Sequence, residues 1–159
     1  MDMLPVDSID STPEVLNLGG DEVTIVATCA QTNDDLFAVE VRMPPGGGPP
    51  LLHRHAPSEV YRVLRGEFTF YVEDEPGGPV RRVAAGPGAV VPLAGGTPHS
   101  VRNESAAEAV AFVVHTPGPV MEGFIRAVAA LTEAESADMA TVLAVAAANG
   151  VEMLGPIPA

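Results

Sequence analysis

The stretch His53-Arg54-His55-Ala56-Pro57-Ser58-Glu59, together with the distant His99, decides how this chain folds in our interpretation. Side chains alternate across a β-strand, so His53 and His55 point to the same side, and Glu59 keeps the same phase. The Cα atoms of the two histidines then lie roughly 7 Å apart, so both rings can reach one ion at ~2 Å. The chain has 4 histidines, and all but one fall in this pattern. The sequence therefore predicts a metal site, with an ordinary surface pair of histidines as the alternative.

The composition limits the class of protein. A length of 159 residues fits one domain. Its 16 glycines and 16 prolines are typical of short strands joined by tight turns. The net charge of −13 argues against nucleic acid and membrane surfaces as partners, because no basic stripe displaces counterions from phosphates.

Features of the ends and of the single cysteine favour a cytoplasmic protein. The acidic start, residues 1–5, lacks the apolar core of a secretory signal. The longest helix-like apolar stretch, residues 141–148, is too short to span a bilayer. One cysteine, Cys29, rules out a disulfide within the chain, and we expect a buried, inert thiol.

Hydrophobic alternation predicts an all-β core. Residues 37–43 alternate most clearly, and about eight to ten short strands follow one another without a long helix between them. This pattern predicts an antiparallel barrel or sandwich. The spacing then changes and predicts two helices, one from about 121 to 131 and one from about 137 to 148. We therefore expect an N-terminal arm (1–20), a β-barrel (21–116) and a C-terminal helical extension packed on the barrel (117–159).

Two segments resemble the signature motifs of the cupin superfamily. The first runs Gly47, five residues, His53, one residue, His55, three residues, Glu59, six residues, Gly66. The second runs Gly86, five residues, Pro92, then Gly96, two residues, His99, three residues, Asn103, with one extra residue after Pro92. The resemblance implies a cupin (double-stranded β-helix, or jelly-roll) barrel that binds one divalent transition metal through His53, His55, Glu59 and His99. Imidazole ligands leave the ion open among Ni, Mn, Fe, Co, Cu and Zn.

We assign the remaining candidate site residues by the side of the strand on which each one falls and by the expected apolar interior of the barrel. Glu59 either serves as a ligand only or also takes a substrate proton, and both interpretations stay open. His115 is expected at an exposed or edge position. Candidate substrate contacts inside the barrel are Met43, Leu51, Tyr61, Phe70 and Phe112, although core filling alone would also account for Tyr61.

The layout after the barrel is similar to that of single-domain bacterial quercetin 2,3-dioxygenase-like cupins. Thr116-Pro117-Gly118-Pro119 precedes two helices, and the chain then runs through Gly150 to Gly155-Pro156. The resemblance implies a dioxygenase that cleaves a flavonol or a related enol-containing aromatic with O2, with Glu59 receiving the hydroxyl proton. Two alternatives are a metal-dependent isomerase, cyclase or hydrolase that acts on a polyketide-like or small acidic ligand without oxygen, and a non-catalytic cupin that binds a small molecule. The resemblance to cupins of this size also implies a homodimer. We expect the N-terminal arm to add to a neighbour's sheet edge, with a disordered leader as the alternative.

Overall fold

The computed structural model describes residues 12–158, in which eleven strands and three helices follow one another. Within the predicted arm, residues 1–11 lie outside the described part. The elements are β1 Val15–Leu18, β2 Asp21–Ala27, β3 Phe37–Met43, β4 Leu51–His55, β5 Ser58–Arg65, β6 Phe68–Glu73, β7 Val80–Ala85, β8 Val90–Leu93, β9 His99–Arg102, β10 Ala109–Thr116, α1 Pro119–Ala129, α2 Glu133–Ala137, α3 Met139–Ala148 and β11 Val151–Pro156.

The strands form two antiparallel sheets. The first sheet has the order β1-β2-β3-β10-β5-β8, and the second has the order β11-β4-β9-β6-β7. Strands that pair within a sheet, such as β3 with β10 or β4 with β9, are far apart in sequence, because the chain passes repeatedly from one sheet to the other between them. The prediction of an all-β fold, an antiparallel barrel or sandwich, is confirmed.

The core lies between the sheets and follows the alternation of the sequence. Phe37 and Val39 on β3 and Val63 on β5 are almost fully buried, as are Phe68 and Phe70 on β6. Burying each such side chain contributes about 1.5–3 kcal/mol relative to leaving it exposed. The intervening residues of these strands that face outward from the first sheet, such as Arg42 and Arg62, are exposed.

Both flanks of the barrel differ from the sequence-based expectation. The described part of the predicted arm contains β1, which pairs with β2 of the same chain through a turn at Gly19 and Gly20, both with positive φ. The C-terminal region has three helices instead of two, because α2 starts separately at a Thr132–Glu135 capping box. None of the helices within residues 12–158 has the length and apolar character needed to cross a bilayer.

The C-terminal region also returns to the barrel as a strand. β11 pairs with β4, with Val151 opposite His55 and Met153 opposite His53. A bidentate Arg54–Glu152 ion pair, with N–O distances of 2.8 and 3.1 Å, joins the exposed sides of the two strands. The strand that carries two predicted metal ligands is therefore held on one side by β9 and on the other by β11.

Candidate metal centre

Three histidines from two strands meet inside the barrel. His53 and His55 lie on β4, and the register of the β4–β9 pair places His99 directly opposite His53. One ring nitrogen from each of the three lies within 4.8 Å of the others. The two distant segments of the sequence are therefore brought to one point by a single strand pairing, and the three imidazoles could hold a metal ion.

Each of these imidazoles is oriented by the backbone. The Nδ1–H of the ring donates to a carbonyl two residues away, which leaves the Nε2 lone pair free to act as a ligand. Because the carbonyl fixes the tautomer, the rings are held ready for a cation without further rearrangement. The Nδ1–O distances are 3.3 Å from His53 to Leu51, 2.9 Å from His55 to Pro57 and 2.8 Å from His99 to Thr97.

Glu59 on β5 joins the cluster from the facing sheet. Its Oε1 lies 2.5 Å from the Nε2 of His55 and 3.1 Å from the Nε2 of His99. Yet His55 Nε2 and Glu59 Oε2 are buried without a hydrogen-bond partner among the described residues. A free imidazole lone pair and a carboxylate oxygen repel each other at this distance unless a cation lies between them. The orphaned atoms and the nitrogen and oxygen donors together fit a divalent transition metal.

Electrostatics favour the metal-binding forms of His53 and Glu59. Burial, with a further contribution from His99, lowers the pKa of His53 to about 4, so this ring is neutral at pH 7. Burial alone would raise the pKa of Glu59, but its contacts with His55 and His99 hold that pKa well below the usual range. Burial acts to lower the pKa of His99, but the Glu59 carboxylate more than offsets this, so that pKa is raised and, without a cation, the protonated ring donates from Nε2 to Glu59 Oε1. A neutral imidazole and an ionised carboxylate are the forms that bind metals.

An apolar cavity of about 400 Å³ opens beside this cluster. His53 and Glu59 lie in its wall, and most of the other lining residues are aliphatic or aromatic, including Val39, Val41, Met121, Phe124, Val142 and Met153. Helices α1 and α3 thus contribute to the wall along with both sheets. Within residues 12–158 no lysine or arginine lines this cavity, and its acidic residues are Glu59 and Asp21. The interior therefore suits a ligand that is largely uncharged and apolar.

The predicted substrate contacts divide into three groups. Leu51 and Tyr61 line the cavity. Met43 and Phe70 are buried in the core, and the Phe70 ring packs edge-on against Tyr61, at a centroid distance of 5.1 Å. Phe112 requires a correction: it lies half-buried on the opposite face of β10 from the cavity-lining Val113 and His115. Residues 109–114 are apolar at both odd and even positions, so alternation alone does not show which side of β10 faces inward.

The pairing of β10 with β5 brings a further histidine, His115, into the cavity wall. His115 was expected at an exposed or edge position, and this is wrong: it is 3% exposed and lies opposite Glu59 in the β10–β5 pair. Its Nδ1–H donates to the Phe37 carbonyl at 3.3 Å, and its Nε2 lies 3.7 Å from Glu59 Oε2. Burial lowers the pKa of His115, so the ring is neutral in the cavity wall. The pairing of strands, not the local sequence, supplies this fourth histidine.

Comparison with known proteins agrees with this geometry. Residues 39–115 match the family model described as Cupin domain. Solved structures with a similar fold include an oxalate oxidase, with a TM-score of 0.55 and 23% identity over 64% of this chain. They also include an oxalate decarboxylase from Bacillus subtilis, with a TM-score of 0.57 and 22% identity over 67% of this chain. A third is a predicted oxalate decarboxylase from Thermotoga maritima, with a TM-score of 0.54 and 23% identity over 71% of this chain.

These similarities differ in extent. This chain spans 53% of the oxalate oxidase, 27% of the Bacillus protein and 98% of the Thermotoga protein. No curated protein sequence matches the chain significantly. At such identities the likeness establishes the fold and leaves the chemistry to the residues of the site.

Proposed function

Because residues 39–115 match the family model described as Cupin domain and a buried histidine cluster lies beside the apolar cavity, we propose that this protein is a metal-dependent dioxygenase. The substrate proposed is a flavonol or a related enol-containing aromatic, cleaved with O2 as in quercetin 2,3-dioxygenase-like cupins. The observation that carries the proposal is the combination of potential metal ligands and apolar wall in one cavity of about 400 Å³. That volume lies in the range of sites for ring-sized ligands.

The charge of the cavity lining favours this proposal over the oxalate activities named for the structural neighbours. Oxalate is a small dianion, and a site for it is expected to offer cationic side chains in addition to a metal. In the described part of the chain, the lining residues include no such cation, and the ionisable side chains Asp21 and Glu59 would oppose a second negative charge. A larger, mostly apolar substrate with one acidic hydroxyl fits these surroundings better.

Each residue of the proposed site has a distinct task. His53, His55, His99 and Glu59 would hold the ion, which, when bound, supplies a positive charge that lowers the pKa of a substrate hydroxyl. Glu59 is buried and ionised, and its Oε2 has no partner among the described residues, so it is placed to accept that proton. Tyr61 stays protonated, because burial and then the Glu59 carboxylate raise its pKa well above 10. The apolar residues of α1 and α3 exclude water from the reacting atoms.

An oxygen-electrode assay on protein of measured metal content tests the proposal. Purified protein is loaded separately with each plausible divalent ion and is then given a flavonol, with oxalate as the comparison substrate. We expect O2 uptake that depends on both the ion and the flavonol, with no uptake on oxalate. Turnover that continues without O2 would favour the metal-dependent isomerase or cyclase. Flavonol binding without any turnover would favour the non-catalytic binding protein.

A further inference from the structure

His115 lines the cavity but lies outside the group of three potential metal ligands. Its Nδ1–H donates to the Phe37 carbonyl, and its ring stacks on the Phe37 ring with centroids 5.8 Å apart and planes inclined by 27°. These two contacts hold the ring in place and set its tautomer, because the carbonyl requires the proton to be on Nδ1. Since burial keeps the ring neutral, Nε2 carries a free lone pair. The cavity wall therefore contains a fixed nitrogen acceptor.

A second acceptor lies beside this nitrogen. Glu59 Oε2 is 3.7 Å from His115 Nε2, whereas Glu59 Oε1 faces His55 and His99. Glu59 Oε2 is buried without a hydrogen-bond partner among residues 12–158, and in the same range the His115 ring forms a hydrogen bond through Nδ1 alone. Two acceptors cannot satisfy each other. Both atoms therefore need donors from the molecule that occupies the cavity.

We propose that His115 determines specificity, and that its Nε2 accepts a hydrogen bond from the hydroxyl next to the one that gives its proton to Glu59. The substrate is then an aromatic with hydroxyls on two neighbouring carbons, as in a catechol. An O–H donor lies about 2.7–2.8 Å from its acceptor, so acceptors 3.7 Å apart are served by donors on neighbouring atoms. The inference rests on the proposed function, since it narrows the enol-containing aromatic proposed for this cavity. A flavonol belongs to the class when one of its rings carries such a pair.

The charges of the lining favour a diol that loses one proton only. The first hydroxyl transfers its proton to Glu59 Oε2, and the second keeps its O–H bond and donates to His115 Nε2. A lone pair accepts from an O–H group and repels an ionised oxygen. Within residues 12–158 no lysine or arginine lines the cavity to compensate a second negative charge. The pair of acceptors therefore selects the singly ionised form of the diol.

A ligand without the second hydroxyl leaves His115 Nε2 unpaired. In the ligand-free protein one water molecule can donate to both acceptors, and a ligand that displaces it but replaces only one of its hydrogen bonds loses affinity. A site that hydrogen-bonds a substrate hydroxyl rejects the analogue that lacks it more strongly than an apolar pocket rejects a small change in size. We therefore expect the diol to bind at least about tenfold more tightly than the matching mono-hydroxy compound.

Isothermal titration calorimetry of the Zn²⁺-loaded protein with naphthalene-2,3-diol and with 2-naphthol tests this expectation. Zn²⁺ has no redox chemistry, so the titration measures binding alone. His115→Phe keeps an aromatic ring against Phe37 but has no acceptor, so the ratio of the two Kd values should fall at least about tenfold from its wild-type value. A ratio that is unchanged in this variant would overturn the proposal, because the preference would then come from chelation of Zn²⁺ by the diol.

Two further variants control for other causes. His115→Gln offers an amide oxygen in place of the nitrogen and should restore most of the preference. Asp21→Asn changes the other ionisable residue of the described lining and should leave the ratio of Kd values unchanged. A preference lost in Asp21→Asn and kept in His115→Phe would assign the second hydroxyl to Asp21 and refute the role of His115.

A ligand substitution repeats the test in the wild-type protein, so that the result does not depend on the folding of a variant. The monomethyl ether of the diol keeps both oxygens but has one O–H fewer, and it should bind at least about tenfold more weakly than the diol. Equal affinity of the ether and the diol would refute the proposal.

The same ligands separate this inference from the proposed reaction. A preference for the diol that depends on His115, without O2 uptake on any diol or flavonol, would support the specificity role and refute the dioxygenase. O2 uptake with equal kcat/KM for the diol and 2-naphthol would refute the specificity role and leave the dioxygenase standing. If the wild-type protein bound neither ligand, both proposals would be wrong.

Discussion

Replacing His99 by alanine tests whether the three-histidine cluster binds a cation. His99 is 2% exposed and is one of three imidazoles whose nitrogens lie within 4.8 Å of one another. An ion that binds only the folded state, at a free concentration one hundred times its Kd, stabilises that state by about 2.7 kcal/mol. For a domain of this size such a gain raises Tm by roughly 5–10 °C. The wild-type protein should therefore show a Tm increase of this order on addition of its ion.

The His99→Ala variant should lose most of that increase. Removal of the ring takes away one ligand and the hydrogen-bond partner of Glu59 Oε1, which was 3.1 Å away. Its metal-free Tm should also fall, because leaving a buried polar group unpaired costs about 1–3 kcal/mol. Differential scanning fluorimetry at one fixed protein concentration, with chelator and with ion, measures both quantities.

His115→Ala is the matched control, since His115 is equally buried in the cavity but lies outside the group of three. Its metal-free Tm should fall as well, whereas the increase caused by the ion should persist. If His99→Ala kept the full metal-dependent increase, or if His115→Ala abolished it, the assignment of the ligands would be wrong.

Three further changes probe other parts of the structure. Glu59→Gln should reduce kcat more than metal content if the carboxylate accepts the substrate proton, whereas equal losses of both would leave it as a ligand only. Burial raises the pKa of Asp21 to about 6 from 3.8, despite the Gly48 hydrogen bond and nearby Arg102. The folded protein therefore holds that proton more tightly than the unfolded chain, so wild-type stability falls as the pH rises from about 4 to 6. Relative to the wild type, the free energy of unfolding of Asp21→Asn should rise by about 1–2 kcal/mol between pH 4 and pH 7, measured by urea unfolding at both pH values. If the difference between variant and wild type were the same at both pH values, the pKa shift of Asp21 would be contradicted. Phe70→Ala, at a site with 0% exposure, should cost about 3–5 kcal/mol of unfolding free energy, and a loss under 1 kcal/mol would place the ring outside the tightly packed core.

The sequence predicts the ligand strand well because its information is local. His53 and His55 share one phase of a short strand, and both end up on β4 with their nitrogens close together. The sequence also predicts the inward residues of β3, because its apolar side chains alternate with Glu40 and Arg42. Where polar residues mark the outer face of a strand, alternation is sufficient to orient it.

Other features depend on pairings that no single segment encodes. In β10 apolar residues occupy both odd and even positions, so alternation predicts the wrong sides of the strand for Phe112 and His115. Only the pairing with β5 shows which side of β10 faces the cavity. β11 becomes a strand because β4 offers it a free edge, although its own sequence reads equally well as an apolar tail. The start of α2 is a different case: the Thr132–Glu135 capping box is a local sequence signal, but the prediction of two helices did not include the short helix that it starts.

The pairing of β11 with β4 also bears on how the protein is made. Arg54 and Glu152, which join the two strands, are separated by 98 positions along the chain. A ribosome needs roughly 5–20 s to synthesise that interval. Throughout this delay the edge of β4 that β11 will cover is unpaired, and an unpaired edge can pair with strands of other chains.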